Sequence, residues 1–140
     1  DQLEEDFLQD KAEGEFHHRL IIMDDVGYSG SLKNKQSGVI SKLISNGRHL
    51  GLSQIYTTQR FTMCSSTMKS NVTAACFGNT SMAELEQIAE SFNYLNSKKD
   101  FIKLFRKYTD EPRSFLCVNF SSSDGIYQDK EFKTIDTKSL

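Results

Sequence analysis

Apolar positions along this chain fall into short unbroken runs and longer helical stripes, and the two kinds alternate. Leu20 to Met23 form a run of four, the length of a buried strand. Val39, Ile40, Leu43 and Ile44 recur at helical spacing. They predict a helix from about Leu32 or Ser37 to Asn46, where Asn46-Gly47 supplies a stop. Leu52 to Thr58 is β-branched and aromatic enough for a strand, and Val72 to Phe77 gives another. Ser81 and Glu84 form an S-x-x-E capping box that opens a helix carrying Met82, Leu85, Ile88, Ala89 and Phe92 on one side. A second helix covers 97–108. The single proline, Pro112, separates it from a strand at Ser114–Phe120, and a short strand is expected near Glu131–Ile135. Ahead of all this, Leu3, Phe7 and Leu8 sit at near-helical spacing in a strongly acidic segment, residues 1–18.

Strands that alternate with helices and are apolar throughout predict an α/β fold, a mostly parallel sheet with helices on both faces. The chain then divides into an acidic helical lead-in (1–18), a core (19–120) and a C-terminal tail or edge strand (121–140).

Composition narrows the class. At 140 residues the chain fits one domain, and a net charge of −2 is not the footprint of a nucleic-acid binder taken as a whole. No apolar run approaches the roughly 18 residues of a membrane span, and no secretory signal opens the sequence. The first residue is Asp1, so the expectation is a piece of something longer. Cys64, Cys76 and Cys117 are widely spaced and form no CxxC pair, which argues against a zinc site or a disulfide framework. Reduced, mostly buried thiols in a cytosolic compartment are expected. The N-x-S/T triplets at Asn71, Asn79 and Asn119 are then chance.

The chemistry begins at "RLIIMDDVG", Arg19 to Gly27. In a parallel α/β sheet, ligands bind at the carboxyl ends of the strands, so a strand ending in Asp24 and Asp25 aims acids at the binding crevice. One carboxylate there can hold Mg²⁺, usually through water. A second can polarise the water that attacks a γ-phosphate. Many buried strands also exit into solvated Asp-rich turns, and the motif alone does not separate the two. Its company does. "TTQ", Thr57 to Gln59, closes the next strand, and a neutral amide there can sense the γ-phosphate or position water. Between them "NGRH" presents Arg48, a guanidinium of the kind that stabilises charge on a transferring phosphoryl, often from a neighbouring subunit.

"LIIMDDVG", then a helix, then "NGRHLGLSQIYTTQR" and "MKSNVTAACFGNTS" closely resemble the DNA-packaging ATPases of nucleocytoplasmic large DNA viruses, poxvirus-type, within the FtsK/HerA group of P-loop NTPases. The resemblance covers roughly residues 18–120. It implies a fold that is the C-terminal part of a RecA-like P-loop NTPase core, with ATP and Mg²⁺ as cofactors. It implies Asp24 as the Mg²⁺-associated Walker B acid, Asp25 as catalytic base, Gln59 as sensor, and Arg48 as a trans-acting arginine finger, with Arg60 second. His49 accompanies Arg48 without an assigned role. The implied activity is ATP hydrolysis coupled to translocation of double-stranded DNA, packaging a viral genome into capsids. The implied partners are the chain's own P-loop half, a homo-oligomeric ring and capsid or portal-like vertex proteins, in the host cytoplasm (viral factory) or the virion.

The departure is the Walker A loop, G-x-x-x-x-G-K-[ST], whose amides and lysine supply most of the phosphate affinity. No such segment exists here, and "GYSGSLKNK" has neither the spacing nor the place. Only 23 residues precede Asp24, too few for the P-loop strand, its helix and the next strand. The 140 residues alone are therefore expected to bind ATP poorly and hydrolyse almost none.

Phosphate contact needs lysine or arginine on unobstructed backbone. The loop 27–38 offers Lys33 and Lys35, with Tyr28 nearby. The helix "SKKDFIKLFRKY" offers Lys98 and Lys99, with Lys103, Arg106 and Lys107, opposite Phe101, Ile102, Phe105 and Tyr108. The plainer reading of that helix is a solvated face over a core stripe. The competing functions are a cellular or mobile-element translocase of the same group, a non-catalytic α/β module that binds DNA or a protein partner, and a metal-dependent nuclease using Asp24 and Asp25.

Overall fold

The computed structural model describes residues 2–14, 17–25 and 37–139. Along them run α1 (Gln2–Glu13), β1 (Arg19–Met23), α2 (Ser37–Asn46), β2 (Leu52–Tyr56), α3 (Ser66–Asn71), β3 (Ala74–Phe77), α4 (Met82–Phe92), α5 (Lys98–Thr109), β4 (Leu116–Asn119) and β5 (Tyr127–Gln128). They gather into two compact units, Asp1–Asn71 and Val72–Leu140, each with its own sheet.

In the first unit β1 and β2 pair in parallel, Ile22 beside Ile55. Parallel neighbours need a crossover, and the connection here carries α2. Arg19 N donates to Gly51 O (3.2 Å) at one end of the ladder, and Thr57 N donates to Met23 O (3.0 Å) at the other. Gly51, with φ 65°, closes the short 3₁₀ turn Gly47–Leu50 in a left-handed conformation that suits glycine. One face of this ribbon is tied to α2, where Gln54 Nε2 donates to Leu43 O (2.7 Å). The opposite face is open: Leu20 is 56%, Ile22 63% and Ile55 48% exposed. The buried strand expected at 19–23 is thus covered on one side among the described residues. Arg19 also reaches α1, its Nη2 2.6 Å from Asp10 Oδ2.

The short helix α3 was not expected, because "STMKSN" carries no apolar stripe. Its start is local: Ser65 Oγ accepts from Met68 N (3.2 Å), and Met68 is buried beneath it.

In the second unit β3, β4 and β5 form an antiparallel sheet in that order. The parallel pairing expected from strand–helix alternation therefore holds for β1 and β2 and stops there. The reason lies in the connection. One helix carries the chain back to the end where the strand began, so the next strand runs parallel, whereas two helices joined through residues 93–97 return it to the end where the strand finished. Both helices start where their caps place them, Ser81 Oγ accepting from Glu84 N (3.4 Å) and Ser97 Oγ from Asp100 N (3.1 Å).

The core of this unit joins helices to sheet. Leu85, Phe101, Leu104 and Phe105 are fully buried, each contributing about 1.5–3 kcal/mol by its removal from water. The Phe77 ring lies 5.2 Å from Phe92, and Phe101 lies 5.9 Å from Tyr127. The strand expected near Glu131–Ile135 is instead a single bridge, Gln128 to Thr134, and the regular pairing falls earlier, at Tyr127–Gln128. The expectation that most of the thiols are buried fails: Cys117 is buried, Cys64 is half-buried and Cys76 is exposed.

Candidate functional site

The carboxyl ends of β1 and β2 lie side by side because Met23 registers with Tyr56. Everything after those residues meets at one rim. In a continuing strand, Asp24 and Asp25 would point to opposite faces. The chain turns instead: Asp25 has φ 50°, a left-handed conformation that aspartate tolerates better than most residues. Both acids then contact the end of β2. The Thr57 hydroxyl donates to Asp24 Oδ1 and accepts from Asp25 N (2.9 Å). Gln59 Nε2 donates to Asp25 Oδ2 (3.1 Å). All four side chains are exposed.

This rim brings together three residues singled out in the sequence, Asp24, Asp25 and Gln59, and adds Thr57. The run "TTQ" drew attention for its amide only. That Thr57 stands beside the acids follows from the parallel register, which one sequence does not print.

The donor set fits a hard cation. It consists of two carboxylates and a hydroxyl, all oxygen, open to water. Among the described residues no group of three or more His, Cys, Asp and Glu side chains gathers to hold a metal. An all-oxygen set open to water suits magnesium, which keeps several waters and shares phosphate oxygens.

Arg48 lies elsewhere. It sits exposed with His49 in the turn that enters β2, at the end where Arg19 N meets Gly51 O. The five residues of β2 then separate it from the acids, roughly 17 Å of strand. Arg60 follows Gln59 on the acid side, its backbone N bonded to Thr58 Oγ1 (3.4 Å).

Lys33, Lys35 and Tyr28 lie outside the described residues. Helix α5 lies in the second unit. Phe101, Leu104 and Phe105 are core, and the lysines form a solvated face. Lys98 is exposed and 3.6 Å from Glu90; Lys99 is exposed as well. Arg106 leaves that face, donating through Nη1 to Asn79 Oδ1 (2.6 Å) and Thr80 O (3.0 Å). It fastens the turn before α4. Among the described residues, no helix is long and apolar enough to cross a membrane.

The chain has the fold of the genome packaging NTPase B204 from Sulfolobus turreted icosahedral virus 2. The complex with ATP-gammaS matches at a TM-score of 0.64 and 20% identity, over 96% of this chain and 60% of that one. The complex with AMPPCP matches at 0.63 and 21%, over 96% and 59%. B204 described as the DNA-packaging ATPase from Sulfolobus Turreted Icosahedral Virus matches at 0.60 and 19%, over 93% and 57%. The chain thus spans about 60% of the length of these structures, and at such identities the likeness is one of fold. Among curated proteins, none matches the chain by sequence. The sequence profile described as Poxvirus A32 protein matches residues 2–136, nearly the whole chain, and this protein belongs to that family.

Proposed function

We propose that this chain carries the hydrolytic rim of an ATP-driven motor that moves double-stranded DNA into viral capsids, with Asp24, Asp25 and Gln59 as its working groups. The observation that carries the reading is the Gln59 amide on the Asp25 carboxylate, at the carboxyl ends of two parallel strands. The complexes of B204 with ATP-gammaS and with AMPPCP support a nucleotide as the ligand of this fold.

Each residue has a distinct task. Asp24, steadied by the Thr57 hydroxyl, holds Mg²⁺ through water. When bound, that ion supplies charge neutralisation at phosphate oxygens. Asp25 orients a water against the γ-phosphate and accepts its proton. Gln59 fixes the rotamer of Asp25 and is positioned to exchange that bond for one to the γ-phosphate, so that nucleotide state changes how the base is held. Arg48, remote from these acids in its own chain, serves a neighbouring subunit of a homo-oligomeric ring.

The open face of Leu20, Ile22 and Ile55 supports a further layer of protein. Parallel sheets are stable when both faces are covered. We assign this face to the P-loop half of the longer protein, which supplies the phosphate cradle. Lys33, Lys35, Lys98 and Lys99 are the proposed phosphate contacts on DNA, and capsid or portal-like vertex proteins are the proposed docking partners, in the viral factory of the host cytoplasm or in the virion.

The test is ATP hydrolysis by the full-length protein with and without duplex DNA, beside Asp25→Asn. DNA-stimulated turnover that vanishes in the variant is the expected result. Salt-sensitive DNA binding with no turnover would replace this reading with that of a non-catalytic binding module.

A further inference from the structure

Cys76 on β3 and Cys117 on β4 stand directly opposite each other in the antiparallel ladder. Their place in the hydrogen-bond pattern decides what they can do. Phe120 N donates to Thr73 O (3.0 Å), so that pair is hydrogen-bonded. Alternation along the ladder makes Ala75–Val118 and Phe77–Leu116 hydrogen-bonded positions as well. Cys76–Cys117 therefore occupies a non-hydrogen-bonded position. The other side of β4 agrees: Asn119 N points to Ile126 O (2.7 Å) on the β5 side.

At non-hydrogen-bonded positions facing Cα atoms are about 4.5 Å apart and both side chains leave the same face. Disulfides need a Cα separation of roughly 4.4–6.8 Å. We propose that Cys76 and Cys117 form a reversible cross-strand disulfide, a modification site whose co-reactant is a low-molecular-weight disulfide such as glutathione disulfide.

The exposures assign the order of events. Cys76 is open to solvent, whereas Cys117 is 2% exposed. Burial, and then the neighbouring Cys76 thiol, push the Cys117 thiol up to about 12, so it is a poor first nucleophile. Cys76, as thiolate, attacks one sulfur of glutathione disulfide and expels a glutathione thiolate. Cys117 then loses its proton and attacks Cys76 Sγ, expelling the second glutathione thiolate. Two protein thiols are oxidised and one external disulfide is reduced to two thiols. Cys76 is open to solvent, so the bond is within reach of thiols and readily reversed. While present it staples the edge strand β3 to β4 across a loop that contains α4 and α5.

The sequence makes the test direct, because trypsin leaves the three cysteines on separate peptides: Cys64 in 61–69, Cys76 in 70–98 and Cys117 in 114–130. The folded full-length protein is treated with glutathione disulfide, its remaining thiols are blocked, and it is mapped by mass spectrometry without reduction. The expected product joins 70–98 to 114–130, and dithiothreitol separates them. A Cys64→Ser variant gives the same product. A glutathione adduct on Cys76 that never resolves, a link through Cys64, a link between two molecules, or no reaction would each overturn the proposal.

Discussion

Gln59 and Asp25 are 34 positions apart in sequence, yet the amide nitrogen of one lies 3.1 Å from a carboxylate oxygen of the other. The contact exists because β1 and β2 end at the same level. On the proposed mechanism it ties the base to the group that reads the γ-phosphate. Asp25→Asn keeps the left-handed turn, since asparagine also tolerates positive φ. It is expected to lower kcat about 10²–10⁴-fold while nucleotide affinity changes little. Single-turnover hydrolysis beside equilibrium binding of an ATP analogue separates the two quantities.

Thr57 holds both acids through one hydroxyl. Thr57→Val preserves its shape and removes those bonds. A fall in kcat of about 10–100-fold, with a higher Mg²⁺ requirement, is expected. Thr57→Ser keeps the hydroxyl and is expected to retain most activity. Equal loss in both variants would mean that packing of the methyl, not the hydroxyl, matters.

Arg48 stands at the opposite end of β2 from the acids. If it acts on a neighbour's nucleotide, Arg48→Ala lowers kcat about 10³–10⁵-fold. Mixing inactive Arg48→Ala with inactive Asp25→Asn then recovers turnover, because some interfaces combine an intact arginine with an intact base. A mixture as silent as its components would sink the trans assignment.

Gly47 is buried in the turn before β2, and a Cβ there would lie 2.0 Å from Gln54 Nε2. That nitrogen donates to Leu43 O (2.7 Å), fastening α2 to β2. Gly47→Ala therefore displaces Gln54 and loses the bond, at about 1–3 kcal/mol. Adding Gln54→Ala removes the clash, so the double variant is expected to lose less than the sum of the single ones. Urea unfolding measures all three.

Tyr127 is 2% exposed, and its hydroxyl donates to Phe92 O (2.8 Å) and accepts from Tyr94 N (2.8 Å). Tyr127→Phe leaves both backbone groups without that partner and is expected to cost about 1–3 kcal/mol at neutral pH. Burial pushes the phenol from 10.0 up to about 12. Folding thus favours the protonated form. This contribution is whole below pH 10 and is lost as pH rises toward 12. Unfolding midpoints compared at pH 8 and pH 11 should narrow the gap between wild type and Tyr127→Phe at the higher pH.

Much of this molecule was legible in its residues. The capping box at Ser81 marks the start of α4 because a hydroxyl satisfies backbone donors within its own turn. The stripe of Phe101 and Phe105 marks a buried face because helical periodicity is local. The order of Asp24, Asp25, Arg48 and Gln59 also pointed to one chemistry. Pairing was not legible. Strand direction depends on where two successive helices deliver the chain, so the antiparallel β3–β4–β5 sheet escaped a reading of alternation. Register is equally non-local. It alone put Thr57 between the two acids, Cys76 opposite Cys117, and Arg48 a strand's length from the carboxylates it had been grouped with. The sequence by itself determined most of the elements and supplied the candidate groups, through short-range sterics and hydrogen bonding. The tertiary structure decided which of those groups meet, because pairing follows from the path of the whole chain.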